Sequence, residues 1–149
     1  FSFVNMLFSL IAIVIIMVIT PNTQWHWTLV LFPIPLIYAL VFAIGLGLIL
    51  AAINVFFRDV QYIYHAVITA WMYLTPIFYP VESLPASVSF VVKVLNPVYY
   101  YVAQFRDLVY YGHLPGPRIF FGGWILAFVM LAFGLLMFKR KQDEFILYI

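Results

Sequence analysis

The chain contains no cysteine, which excludes disulfides and thiolate metal sites. Charge is nearly as scarce: Asp, Glu, Lys and Arg make up 8% of the 149 residues, where soluble domains carry about 25%. With 67% of residues apolar, a soluble fold would have nowhere to hide its surface. The net charge of +2 is too small to suggest a nucleic-acid partner. Catalytic signatures are missing as well, since there is no phosphate-binding loop, nucleophile triad or paired catalytic carboxylate. His65 has no second His or carboxylate at ligand spacing on its own segment, so no metal site is expected. The segment after Phe1 lacks a basic n-region and a small-residue cleavage site, so a removable signal peptide is not expected and Phe1 reads as a truncation point.

What remains is a membrane pattern. Up to residue 81 the only formal charges are the adjacent Arg58 and Asp59. A charge at bilayer depth costs roughly 3 kcal/mol or more, so this pair marks a point where the chain emerges into water and turns back. A spanning helix needs about 20 mostly apolar residues, and four segments qualify, at 3–20, 29–57, 62–80 and 119–138. Trp25 and Trp27 in the polar turn between the first two suit one membrane surface. Lys139, Arg140 and Lys141 follow the last span, and the positive-inside rule puts them in the cytoplasm, with Arg58 and Asp59 on the same side. The stretch 85–111 is apolar and tyrosine-rich, but Asn96-Pro97 breaks it into pieces too short to span. The expected fold is all-α: one transmembrane bundle of four spans, an external re-entrant helical hairpin at 85–111, and a tail from 139 to 149. A hairpin lying flat on the surface is the alternative.

Several residues stand out within that frame. Ala39, Ala43, Gly47 and Ala51 recur every fourth residue, giving a small-residue ridge suited to close helix packing or dimerisation. Pro33 and Pro35 are expected to kink or widen the same helix. Tyr62, His65, Thr69 and Tyr73 share one face of the third span, a polar stripe that would be wasted on lipid and suits either interhelical hydrogen bonds or an aqueous path. Tyr99, Tyr100 and Tyr101, with Arg106 and Asp107, form an aromatic and charged group that suits a gate, an interfacial anchor or a sugar-contacting patch.

The ordered motifs Asn54-Val55-Phe56-Phe57-Arg58-Asp59-Val60, Leu74-Thr75-Pro76-Ile77-Phe78-Tyr79-Pro80, Leu95-Asn96-Pro97 and Phe105-Arg106-Asp107 resemble the permease subunits of ABC-2 type exporters. Members of that family move lipid-linked polysaccharides, O-antigens and teichoic acids. The resemblance implies six spans in the full protein, of which these are the last four. It implies a second permease copy, an ATP-binding partner subunit that carries ATP and Mg, and no cofactor on this chain. It further implies surrounding membrane lipid, a lipid-linked glycan substrate and a place in the bacterial plasma (inner) membrane. By the same resemblance Arg58 and Asp59 lie on the cytoplasmic turn facing the ATPase, and the tyrosine group and Arg106-Asp107 lie near the outer gate; the polar stripe of Tyr62, His65, Thr69 and Tyr73 supplies the candidates for lining the path. Two other readings stay open. One is a drug or lipid exporter of the same superfamily; the other, a membrane-embedded lipid- or glycan-processing enzyme, is opposed by the scarcity of intramembrane acids.

Overall fold

Every regular element among the described residues is helical, in a computed structural model that describes residues 2–19, 26–57, 59–77, 79 and 81–142. The six α-helices are α1 (Ser2–Ile19), α2 (Pro33–Phe56), α3 (Val60–Leu74), α4 (Ala86–Leu95), α5 (Pro97–Arg106) and α6 (Pro117–Lys141). Among the described residues two segments are long and apolar enough to cross a bilayer, Trp27–Phe56 with 30 residues and Pro117–Lys141 with 25. Apolar side chains along α1, such as Phe8 and Ile16, are exposed, as expected where lipid rather than water is the neighbour.

Proline sets most of the helix boundaries. Pro33 and Pro117 each occupy a first helical position, where the missing N–H would have had no partner anyway. Contrary to the expected kink, Pro33 and Pro35 therefore sit in the opening turn of α2, and a tighter 3-10 turn, Trp27–Leu31, leads into it. Helix α3 ends at Leu74 because Pro76 forces Thr75 out of helical geometry, to φ −81° and ψ 126°. Pro97 does the same to Asn96, which is extended and separates α4 from α5. Lys139, Arg140 and Lys141 belong to the last turn of α6, where the helix dipole favours cations. Lys141 Nζ lies 5.2 Å above the Phe56 ring, which brings the ends of α2 and α6 together.

The bundle is built on an α2–α6 pair crossed by α5. Tyr38, Phe42, Tyr100, Tyr101 and Ala127 form its buried centre. Tyr38 meets Tyr101 and Trp124 with ring centroids 5.1 Å apart in both cases, and Phe42 meets Tyr101 at 5.8 Å, spacings at which tilted aromatic pairs are favourable. Further along, α2 and α6 touch backbone to backbone. A Cβ on Gly45 would sit 2.6 Å from the Leu131 amide nitrogen, and a Cβ on Gly134 would collide with the Gly45 carbonyl.

The expected ridge takes no part in that crossing. Ala39 is half-buried, Ala43, Gly47 and Ala51 are exposed, and a Cβ on Gly47 would meet nothing within 4 Å. The helical period explains the difference: Pro35, Tyr38, Phe42, Gly45 and Ala52 are the buried positions of α2, and they occupy another face. Ala39, Ala43 and Gly47 instead line a cleft of about 380 Å³ with Tyr64, Ile68 and Trp71 of α3.

Candidate functional site

Helix α3 ends where α4 and α5 meet, and a polar network joins the three. Asn96 Oδ1 accepts the N–H of Val98 at 3.1 Å, capping α5. The same oxygen accepts the Trp71 indole N–H at 2.9 Å, while Asn96 Nδ2 donates to Thr75 Oγ1 at 2.9 Å. Thr75 donates in turn to the Trp71 carbonyl at 2.9 Å. One buried asparagine thus holds the break between α4 and α5 against the end of α3. Just beyond α3, Arg106 Nη2 donates to Pro76 O at 3.0 Å and Ile77 O at 3.2 Å.

Beyond Arg106 the helix widens into a π-helical turn, Asp107–Tyr111. Such turns leave irregular backbone groups to be satisfied from elsewhere, and Thr28 Oγ1 supplies one bond, to Leu108 O at 2.8 Å. The turn closes on Gly112 at φ 67°, with the His26 ring packed where a side chain would begin. Only glycine fits both demands. Asp107 lies half-buried, its Oδ1 4.0 Å from His113 Nε2. Burial raises the Asp107 carboxyl above the ordinary carboxylate range, while His113 and Arg106 pull it back in part.

That direction gives a sign to pH dependence. A carboxyl that holds its proton more tightly when folded makes the native state lose stability as pH rises from the unfolded carboxylate value through the folded one. Asp107→Asn removes the buried charge, so in detergent at pH 7 the variant should unfold at a higher temperature than wild type. The gap should close in acid, where the aspartate is neutral in both states. A less stable variant at pH 7 would mean that pairing with Arg106 and His113 outweighs burial.

The sequence-derived candidates fall into separate places. Tyr62 and Tyr73 are exposed, as are His65 and Thr69. Thr69 Oγ1 donates to the His65 carbonyl of its own helix at 2.8 Å. This stripe lies on the side of α3 opposite Tyr64 and Trp71, which face α2, and it is exposed among the described residues. Tyr99 is half-buried, whereas Tyr100 and Tyr101 are buried in the aromatic centre. In the same stretch of chain Tyr110, 77% exposed, and Tyr111, 54% exposed, are left open. Asp59 is exposed at the start of α3, and Arg58 lies outside the described residues.

Three features were missed in the sequence. Sequence marks Asn96 as a helix breaker, but a polar side chain beside a proline in an apolar stretch also signals a cap. Gln104 is fully buried and donates to Ile119 O at 2.7 Å, tying α5 to α6; its isolation among apolar neighbours was the available signal. The Gly45–Gly134 contact joins two positions far apart in the chain, and no local pattern distinguishes Gly45 from Gly47.

Comparison with known proteins follows the same outline. A family profile described as ABC-2 type transporter matches residues 1–110. The O-antigen export system permease protein RfbA of Myxococcus xanthus is 32% identical over 124 residues, covering 82% of this chain and 48% of that protein. A protein of the same description from Klebsiella pneumoniae is 30% identical over 129 residues, covering 85% and 47% respectively. The chain spans about half the length of the curated relatives it matches.

Proposed function

The chain belongs to the ABC-2 type transporter family, and from that premise we propose that it forms membrane-spanning permease structure of an ATP-driven exporter of lipid-linked cell-surface polysaccharide. The similarity to O-antigen export permeases over most of the chain carries this reading. In it α1, α2, α3 and α6 cross the bacterial inner membrane, the α4–α5 pair forms an external re-entrant gate, and a second permease copy completes the path. ATP and Mg are held by a separate subunit.

Physical chemistry gives each part a task. The stripe of Tyr62, His65, Thr69 and Tyr73 presents hydroxyl and imidazole groups on an exposed face of α3, which suits the path or the second copy. Asp59 begins α3 beside the turn that faces the cytoplasm, so a push from the ATPase on Arg58 and Asp59 would tilt α3. That helix is bonded through Asn96 and Arg106 to the α4–α5 gate, a continuous route from the cytoplasmic turn to the outer side.

The test uses the full-length protein with its partner ATPase. Cells lacking the permease should accumulate lipid-linked glycan on the inner leaflet and lose it from the surface, and wild-type protein should restore it. Asp59→Ala should lower surface glycan at least several-fold while ATP hydrolysis persists. Unchanged surface glycan in permease-deficient cells would exclude the export reading, and full activity of the Asp59 variant would remove the coupling role.

A further inference from the structure

We infer that the cleft at the end of α5 is a saccharide subsite that holds one pyranose ring of the exported glycan, an assignment that rests on the polysaccharide reading above. The cleft measures about 520 Å³, within the range of roughly 300–1,000 Å³ typical of small-molecule sites. Tyr79, Phe105, Arg106, Tyr110 and Tyr111 shape it. Sugar rings present a flat apolar C–H face and a rim of hydroxyls, so a site for them needs an open aromatic face flanked by hydrogen-bonding groups. This cleft supplies both.

The aromatic surface is held in place. Tyr110 is 77% exposed and stands at 87° to Tyr111, with ring centroids 5.1 Å apart, which makes a right-angled aromatic corner. Tyr111 is braced by His113, stacked 5.7 Å away with an interplanar angle of 8°. The Tyr79 hydroxyl donates to the carbonyls of Tyr73 at 3.0 Å and Leu74 at 3.1 Å, which fixes that ring to the end of α3. Pre-positioned walls lower the ordering cost of binding.

The polar side is Arg106. Its Nη2 is anchored on the Pro76 and Ile77 carbonyls, so the guanidinium is oriented without being fully used. A guanidinium has five N–H donors, more than two carbonyl bonds engage, so the group has capacity to meet sugar hydroxyls or a sugar carboxylate. An aromatic girdle that only anchors a protein at the bilayer surface needs tyrosines and tryptophans, but it needs neither a cleft nor an arginine fixed within it. The ring chemistry therefore favours a glycan over a lipid headgroup. Because the anchoring carbonyls of Pro76 and Ile77 follow directly on the end of α3, an occupied cleft would also report to the helix that leads back to Asp59.

The experiment takes the full transporter with its ATPase in lipid nanodiscs, probed with short oligosaccharides released from the producing cell's own surface polysaccharide. Saturation-transfer NMR should show the sugar C–H protons in contact with aromatic side chains. Tyr110→Leu should weaken binding about tenfold, or roughly 1.4 kcal/mol, while Tyr110→Phe retains most of it because the ring face is kept. Phe90→Leu, which removes an exposed aromatic on α4, should leave binding unchanged. Equal losses at Phe90 and Tyr110, or no oligosaccharide binding by a transporter that exports glycan in cells, would overturn the subsite alone. Oligosaccharide binding that depends on Tyr110, together with normal surface glycan in permease-deficient cells, would overturn the export reading and leave the subsite standing.

Discussion

Gly45→Leu is expected to prevent the α2–α6 pair from closing, with loss of folded protein in detergent, whereas Gly47→Leu leaves the fold of the chain intact. A side chain at position 45 would run into the backbone at Met130 and Leu131, not into a movable side chain. Overpacking in a well-packed core costs typically 1–3 kcal/mol, and a backbone obstacle puts this case at or above the upper end. No rotamer change relieves it. At position 47 the same side chain enters open space. Thermal unfolding of the two purified variants checks the contrast, and equal stability would show that Gly45 does not lie at the crossing. Folded Gly47→Leu protein that fails to form a dimer would instead place the small-residue ridge at a contact between two copies.

The second large effect is expected at Asn96. Asn96→Leu strips the acceptor from the Trp71 indole N–H and the Val98 amide and removes the donor to Thr75. Asn96 is 4% exposed, so water does not replace the lost partners. Each buried group left unsatisfied costs about 1–3 kcal/mol, and two stranded N–H donors bring the expected loss to about 3 kcal/mol. Trp71→Phe supplies the control, because it removes the indole donor but keeps an aromatic ring against Phe42. In that background Asn96→Leu should cost about 1 kcal/mol less, the signature of a shared bond. Additive losses would show that Asn96 and Trp71 do not act through one another.

The class of the protein was legible because it depends on composition and run length. Few charges and long apolar stretches dictate helices in lipid, and prolines mark several of their boundaries: Thr75 before Pro76 and Asn96 before Pro97 are driven out of helical geometry, whereas Phe32 before Pro33 stays helical because a 3-10 turn leads straight into α2. Helix period likewise made it possible to place Tyr62, His65, Thr69 and Tyr73 on one face.

Which face meets which neighbour is another matter. The tyrosines at 99 to 101 and at 110 to 111 are alike in sequence, yet Tyr100 and Tyr101 are buried against α2 and α6 while Tyr110 and Tyr111 stay open. The rotation of α5 that decides this comes from its bonds to α3 and α6 through Asn96 and Gln104. Gly45 and Gly47 differ for the same kind of reason, because only the α6 backbone, from a distant part of the chain, gives one of them a neighbour. By itself the sequence determined the helical class and the membrane setting, which follow from local residue chemistry, whereas α3 stops at Leu74, short of the end of the 62–80 apolar run. The tertiary structure alone decided the close crossing, the latch at Asn96 and the cleft beside Arg106, because each is made by groups that meet only once the helices have packed.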